Sequence, residues 1–268
     1  MAVTFDMNQI VGTHDILMMT LDTLRWDVAD ELHHSGRTPN LSALIGAGGW
    51  ERRHTPASFT FAAHQAFFAG FLPTPATPGS HPRLFAAHFL GSATTVETTR
   101  VFQTSNIVEG LAQEGYHTAC IGGVGFFNNQ TELGSVLPNM FTEAHWSPEL
   151  GVTNSSSTEA QFDLADEISK RTDDELFLFI NVSALHQPNC HYVPGASRDN
   201  IETHAAALEY VDSCVPALLE TLARRARPTF FMIFADHGTA YGEDGFHGHR
   251  LAHPTVMHVP YAHGIFAP

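Results

Sequence analysis

The chain has 268 residues, 43% of them hydrophobic and 15% charged, and a formal net charge of −15 at pH 7. That length is enough to bury a core in one domain spanning 1–268, and the negative charge argues against nucleic acid or an anionic membrane as partner. Eighteen histidines stand beside a single lysine, Lys170, a bias that points to metal or proton chemistry.

In chain order, Asp15-Ile-Leu-Met-Met-Thr-Leu21 reads as a buried strand that runs into Asp22-Thr-Leu-Arg-Trp-Asp27. Thr38-Pro39 marks a helix start, with threonine as cap and proline at the first helical position. A short strand is expected over 50–55 and a helix over 59–70, closed by Gly70. Residues 71–82 are proline-rich and read as a loop, while 83–100 give no clear pattern. A helix over 106–114 leads to a strand over 116–121, which enters a turn at Gly122-Gly123. Residues 126–157 read mostly as loop. A helix over 158–171, a strand over 176–182 and a long helix over 200–225 follow. The apolar run Thr229–Phe234 and a last strand over 256–266 complete the chain. Strands alternating with helices predict an α/β fold with a largely parallel sheet covered on both faces. The cysteines at 120, 190 and 214 show no CxxC spacing. No stretch nears the roughly 18 apolar residues of a spanning helix, so a cytoplasmic protein without membrane contact is expected.

Chemistry gathers where strands end. Phe234-Ala-Asp-His-Gly238 follows an apolar run, and the carboxyl ends of parallel strands are where open α/β sheets bind ligands. Asp236 and His237 together make half a site for a divalent cation. Asp22 ends another strand and would emerge at the same edge; otherwise it caps a helix or pairs with Arg25. Ser58 and Thr60 place hydroxyls at a helix start, where free amides and the dipole favour an anion and lower a hydroxyl's pKa. Thr60 could then act as a nucleophile, although either hydroxyl could simply cap the helix. The segment His186-Gln-Pro-Asn-Cys-His191 and the loop carrying His247 and His249 add further imidazoles.

Read in order, Asp22-Thr-Leu-Arg-Trp-Asp27, Thr38-Pro-Asn-Leu41, Thr60 through Gly70-Phe-Leu-Pro73, Gly115-Tyr-His-Thr118, His186-Gln-Pro188, Tyr210-Val-Asp212 and Asp236-His-Gly238 resemble the sulfatase-like members of the alkaline phosphatase superfamily. The resemblance runs over nearly the whole chain and implies a three-layer α/β/α sandwich, a divalent metal and a covalent intermediate. It further implies that Asp22, Thr60, Asp236 and His237 hold the metal and that Thr60 is the nucleophile. His64 falls where sulfatases carry an arginine. His64, His186, His191, His247 and His249 become candidates for binding substrate or a second ion, with His186 and His249 also candidates for proton transfer. Which of His247 and His249 faces the site stays open.

The departures narrow the chemistry. Thr60 cannot mature to formylglycine, the family's Asp-Asp pair reads Asp22-Thr23, and its Gly-Lys-x-His segment reads Gly122-Gly-Val-Gly125. The usual C-terminal subdomain is also expected to be lacking. These features suggest a metal-dependent hydrolase of phosphate or phosphonate esters, with a small-molecule substrate. The alternatives are a sulfuric-ester hydrolase, a phospho-group transferase or a non-catalytic metal- or anion-binding relative. One tightly bound ion is expected, zinc or manganese ahead of magnesium or calcium. A second ion would fall to the histidines, because Asn181–Leu185 offers no carboxylate. No feature sets the oligomeric state.

Overall fold

The first strand, β1 (Asp15–Leu21), divides the molecule into its layers. The computed structural model describes residues 5–71, 83–85, 88, 90, 99–101 and 104–268; the loop expected over 72–82 lies outside them. Leu17, Met19 and Leu21 of β1 point into one helical layer, Ile16 and Met18 into the other. Covered on both faces, the strand buries all 7 of its residues and has no polar side to alternate.

The sheet runs in the order β2 (Glu51–His54), β7 (His258–Phe266), β6 (Thr229–Phe234), β1, β5 (Leu176–Val182), β3 (His117–Ile121), β4 (Glu143–His145). From β6 across to β4 every neighbouring pair is parallel, while β7 runs antiparallel to both β6 and β2. Helices α1 (Trp26–His34), α2 (Pro39–Ile45), α5 (Ser157–Ser169) and α6 (Ile201–Arg224) cover one face. Helices α3 (Thr60–Ala69) and α4 (Ile107–Gln113) cover the other. The result is a three-layer α/β/α sandwich with a largely parallel central sheet. Among the described residues no helix is long and apolar enough to cross a membrane.

Local sequence accounts for most boundaries. Leu208, Val211, Val215, Leu218 and Leu222 form one buried stripe along α6, and Asn200 caps its start in a reciprocal bond with Thr203. Two elements lie where no strand or helix was expected. β4 is a three-residue, half-buried edge strand inside the segment read as loop, and so short a strand leaves no periodic signature. α1 follows the first strand directly; its inner face is only Val28, Ala29 and Leu32 among polar residues.

At the amino end of β1, buried Asp15 receives the Leu176 amide at 2.8 Å and the Arg225 guanidinium at 2.5 Å, tying the end of α6 to the sheet. Nearer the carboxyl end, His204 of α6 is fully buried. Its Nε2 accepts the Arg25 amide at 3.4 Å, and its Nδ1 lies 3.0 Å from the Tyr241 hydroxyl. Burial above all, with the Arg25 charge second, pushes its pKa down to about 3. A histidine lowered in the fold contributes stability above its unfolded value of 6.5 and loses it as pH falls. His204→Gln does not titrate, so its stability relative to wild type is expected to rise by about 2 kcal/mol between pH 7 and pH 5. Urea unfolding at the two pH values measures this; a constant difference would mean the imidazole is not held neutral.

Candidate active site

Three adjacent parallel strands, β6, β1 and β5, end at one edge of the sheet. They deliver Asp236-His237, Asp22 and the loop to His186 respectively. The Asp22 amide continues the ladder to Val182 O at 3.1 Å. The chain then turns at Thr23, whose φ of 66° aims its amide at Asp236 Oδ1, 3.2 Å away. Gly238, expected for turning freedom, serves packing instead. A Cβ there would lie 2.0 Å from Thr255 O, where the chain passes against residues 255–256.

Asp22, Asp236 and His237 are fully buried, and one ligand atom from each lies within 4.8 Å of the others. Asp236 Oδ1 accepts the amides of Thr23 and His237, and Asp22 Oδ2 accepts Asn181 Nδ2 at 3.2 Å. The other oxygens, Asp22 Oδ1 and Asp236 Oδ2, have no hydrogen-bond partner although buried. His237 Nδ1–H donates to Gly238 O at 2.9 Å, which leaves the Nε2 lone pair facing Asp236 Oδ2 at 3.5 Å. Buried acceptors left unpaired in this way are costly, and two carboxylates with a neutral imidazole are a donor set that fits a divalent cation. Without one, burial first and the neighbouring Asp236 second raise the Asp22 pKa to about 6; burial raises Asp236 to about 7.

Thr60 is the first residue of α3, and the cap before it, Phe59, makes no side-chain bond. Its hydroxyl lies 3.3 Å from Asp22 Oδ2 and 3.3 Å from His237 Nε2, completing the cluster. His64, one turn on, is turned inward, which corrects its expected place beside substrate. Its Nδ1–H donates to Thr60 O at 2.7 Å, Nε2 lies 3.1 Å from Thr20 Oγ1, and rings of Phe67, Phe68, Phe127 and Phe179 surround it. Burial lowers its pKa to about 3, so it is a neutral strut behind the helix start.

The histidines of the late loops separate cleanly. The His249 ring lies 4.6 Å from His237 and 5.6 Å from His186, with a buried Nδ1 that has no hydrogen-bond partner. His247 is exposed on a two-residue strand paired with Tyr241, and His191 is exposed against Tyr192. Neither is brought to the cluster. Sequence reasoning missed the bracing around it. Arg25 pairs with Asp27 and Glu243, not with Asp22. Glu243 in turn accepts the Tyr241 amide at 2.6 Å, and Asn189 bonds the Tyr241 hydroxyl at 3.0 Å. A buried arginine directly after a strand-end aspartate was the one sequence signal of this network. Asn181 was likewise overlooked as a side chain, although it joins Thr20, Asp22 and the Val124 amide.

A family model described as Sulfatase matches residues 14–262. The chain belongs to the sulfatase family. No curated protein matches it. Solved structures similar to this sulfatase-family chain include the C-terminal periplasmic domain of phosphoethanolamine transferase EptC from Campylobacter jejuni, at 13% identity and TM-score 0.65, covering 94% of this chain and 80% of that one. The corresponding EcEptC domain from Escherichia coli, in complex with Zn, matches at 11% identity and TM-score 0.64, covering 94% and 72%. A protein of the alkaline phosphatase superfamily from Vibrio parahaemolyticus matches at 18% identity and TM-score 0.59, covering 95% and 60%. Identities this low carry the fold, which is that of the alkaline phosphatase superfamily. The family's lysine has no counterpart for a steric reason: a Cβ on Gly123 would lie 2.3 Å from Asn181 O and 2.7 Å from Ser183 Cβ.

Purified sulfatase-family protein is expected to hold about one equivalent of divalent metal per chain, lost in Asp236→Asn, as elemental analysis would read. Metal must displace protons from carboxyls raised to about 6 and 7, so the rise in Tm on adding metal should grow as pH increases from 5 to 8. A pH-independent rise would argue against ligation by these two carboxylates.

Proposed function

We propose that the protein is a metal-dependent hydrolase of phosphate or phosphonate esters that uses Thr60 as nucleophile, with phosphodiesters and phosphonate monoesters as favoured substrates. The observation that carries this reading is the pair of buried, unpartnered oxygens, Asp22 Oδ1 and Asp236 Oδ2, in a cluster with Thr60 Oγ1 and His237 Nε2. A divalent cation held by Asp22, Thr60, Asp236 and His237 would supply positive charge against the attacking and phosphoryl oxygens. The carboxylate–imidazole donors favour zinc or manganese, and the Escherichia coli neighbour is described as a complex with Zn.

Thr60 Oγ1 attacks phosphorus, and its proton passes to Asp22 Oδ2, 3.3 Å away. The bond to the leaving oxygen breaks as that oxygen takes a proton. His186 is the better donor of that proton: its Nδ1–H is held by Gln187 O at 2.6 Å, leaving Nε2 to carry it. His249 is kept neutral, its pKa lowered to about 3 by burial first, then by His237, His186 and Arg250. It serves as a hydrogen-bond donor to a substrate oxygen. Water then displaces the phosphoryl group from Thr60, which recovers its proton. Transfer to an alcohol in place of water is a second reading, favoured by the EptC neighbours, whose descriptions name phosphoethanolamine transferases. Released inorganic product against a new ester separates the two.

Thr60→Ala is expected to abolish turnover with the fold intact, whereas Ser58→Ala should cost far less; the reverse ranking would move the nucleophile to Ser58. With Gly123 in place of a lysine, kcat/KM for aryl phosphodiesters or phosphonate monoesters should exceed that for aryl sulfates by at least about tenfold. Sulfate turnover equal to diester turnover in metal-replete protein would defeat the phosphoryl assignment.

A further inference from the structure

An anionic ester entering this site brings charge that a cation meets on one side. The wall from which sulfatases supply a lysine is closed here, since Gly123 has no room for a side chain. Positive charge stands on another wall. Arg250 follows His249, whose ring is 4.6 Å from His237, and the Arg250 amide donates to Ser58 O at 2.8 Å, two residues before Thr60. The backbone of Arg250 sits at φ 69°, a region that costs a non-glycine residue roughly 1–2 kcal/mol, and the Ser58 bond holds it there. Most described arginines are engaged in ion pairs, as Arg25 is with Glu243 and Arg225 with Asp15. The exposed Arg250 guanidinium has no hydrogen-bond or ion-pair partner among the described residues. Its charge also reaches the cluster: beyond the larger effects of burial and the neighbouring imidazoles, it helps to keep His237 and His249 neutral.

We propose that Arg250 is the anion-binding residue of this site, its guanidinium taking terminal oxygens of a phosphoryl or phosphonyl group presented to Thr60. The inference rests on the ester-hydrolase reading above and adds to it the residue that recognises the substrate's charge. A guanidinium suits the task because its planar fork pairs with two oxygens at once and it keeps its charge at every working pH. Its neighbours complete the arrangement: His249 offers an imidazole on one side, and the amides at the start of α3 lie on the other.

The probe is inorganic phosphate, titrated calorimetrically into metal-loaded, full-length protein. Arg250→Gly removes the guanidinium and relieves the positive φ, so the fold is not at stake. It should weaken phosphate binding at least tenfold and lower kcat/KM for an aryl phosphodiester by a similar factor, with Arg250→Lys in between. Arg37→Ala, which removes a surface cation paired with Glu209, should leave both values unchanged. Unaltered phosphate affinity in an Arg250→Gly protein that keeps its metal would overturn the assignment, and so would loss of the metal itself, since that would make the residue structural. If wild type binds phosphate through Arg250 yet cleaves no ester, the hydrolase reading fails while this one stands.

Discussion

Two carboxylates buried side by side at the ends of adjacent strands are the constraint on which the rest of the structure depends. Isolated charge at zero exposure is expensive, and two like charges within a few ångströms raise the cost further. The protein meets part of that cost with hydrogen bonds from fixed groups. The Thr23 and His237 amides serve one oxygen of Asp236, and Asn181 and Thr60 serve one oxygen of Asp22. Two oxygens remain for a cation. The elevated pKa values of the pair follow from the same deficit: absent an ion, each carboxyl gains by holding a proton.

Everything that fixes those two residues in place can be traced outward. Asp22 and Asp236 meet because β1 and β6 are parallel neighbours in register, with Thr20 opposite Phe234. Thr23 must adopt a left-handed backbone to turn its amide toward Asp236, and its hydroxyl anchors that turn to Leu185 O at 3.1 Å. Behind the cluster, His64 ties the start of α3 to Thr20, and Asn181 ties Thr20 to Asp22. On the open side, Arg25 and Glu243 clamp the loop that carries His249 against the loop that carries Asp22. A neutral imidazole suits the inner position, because a charged one would compete with a cation. Burial among four aromatic rings keeps His64 in that state.

How much of this was legible beforehand depended on the range of the interaction. The buried strands at 15–21, 176–182 and 229–234 were readable to the residue, because unbroken apolar runs survive without knowledge of neighbours. The three metal-binding candidates were readable because strand ends in a parallel sheet share an edge. The meaning of each histidine was not. His64 looked like a substrate contact by its position near Thr60, and only packing shows its ring facing Phe127 and Phe179. His247 and His249 differ by two residues in sequence, yet a two-residue pairing with Tyr241 sends one outward and leaves the other beside His237. β4 was missed because its three half-buried residues carry no apolar period. Arg25 misled in another way, since its nearest carboxylate by sequence logic, Asp22, is not its partner.

The absent lysine and the free arginine can be read as one fact about space. At Gly123 the backbone presses against β5 so closely that Asn181 O occupies the place of a side chain. That contact also sets Asn181, whose amide nitrogen stabilises Asp22 and whose amide oxygen receives the Val124 amide. Drawing the loop in thus braces the ligand Asp22 and removes a cation from that wall of the site. Charge for an anionic substrate must then arrive from the loop on the opposite side, where Arg250 stands unpaired among the described residues. A single guanidinium added to one bound cation and a helix start makes a weaker field than a wall of lysine, arginine and histidine. Such a field discriminates by oxygen geometry more than by total charge. It suits an ester whose terminal oxygens carry one negative charge between them, and a dianion would sit in it undercompensated.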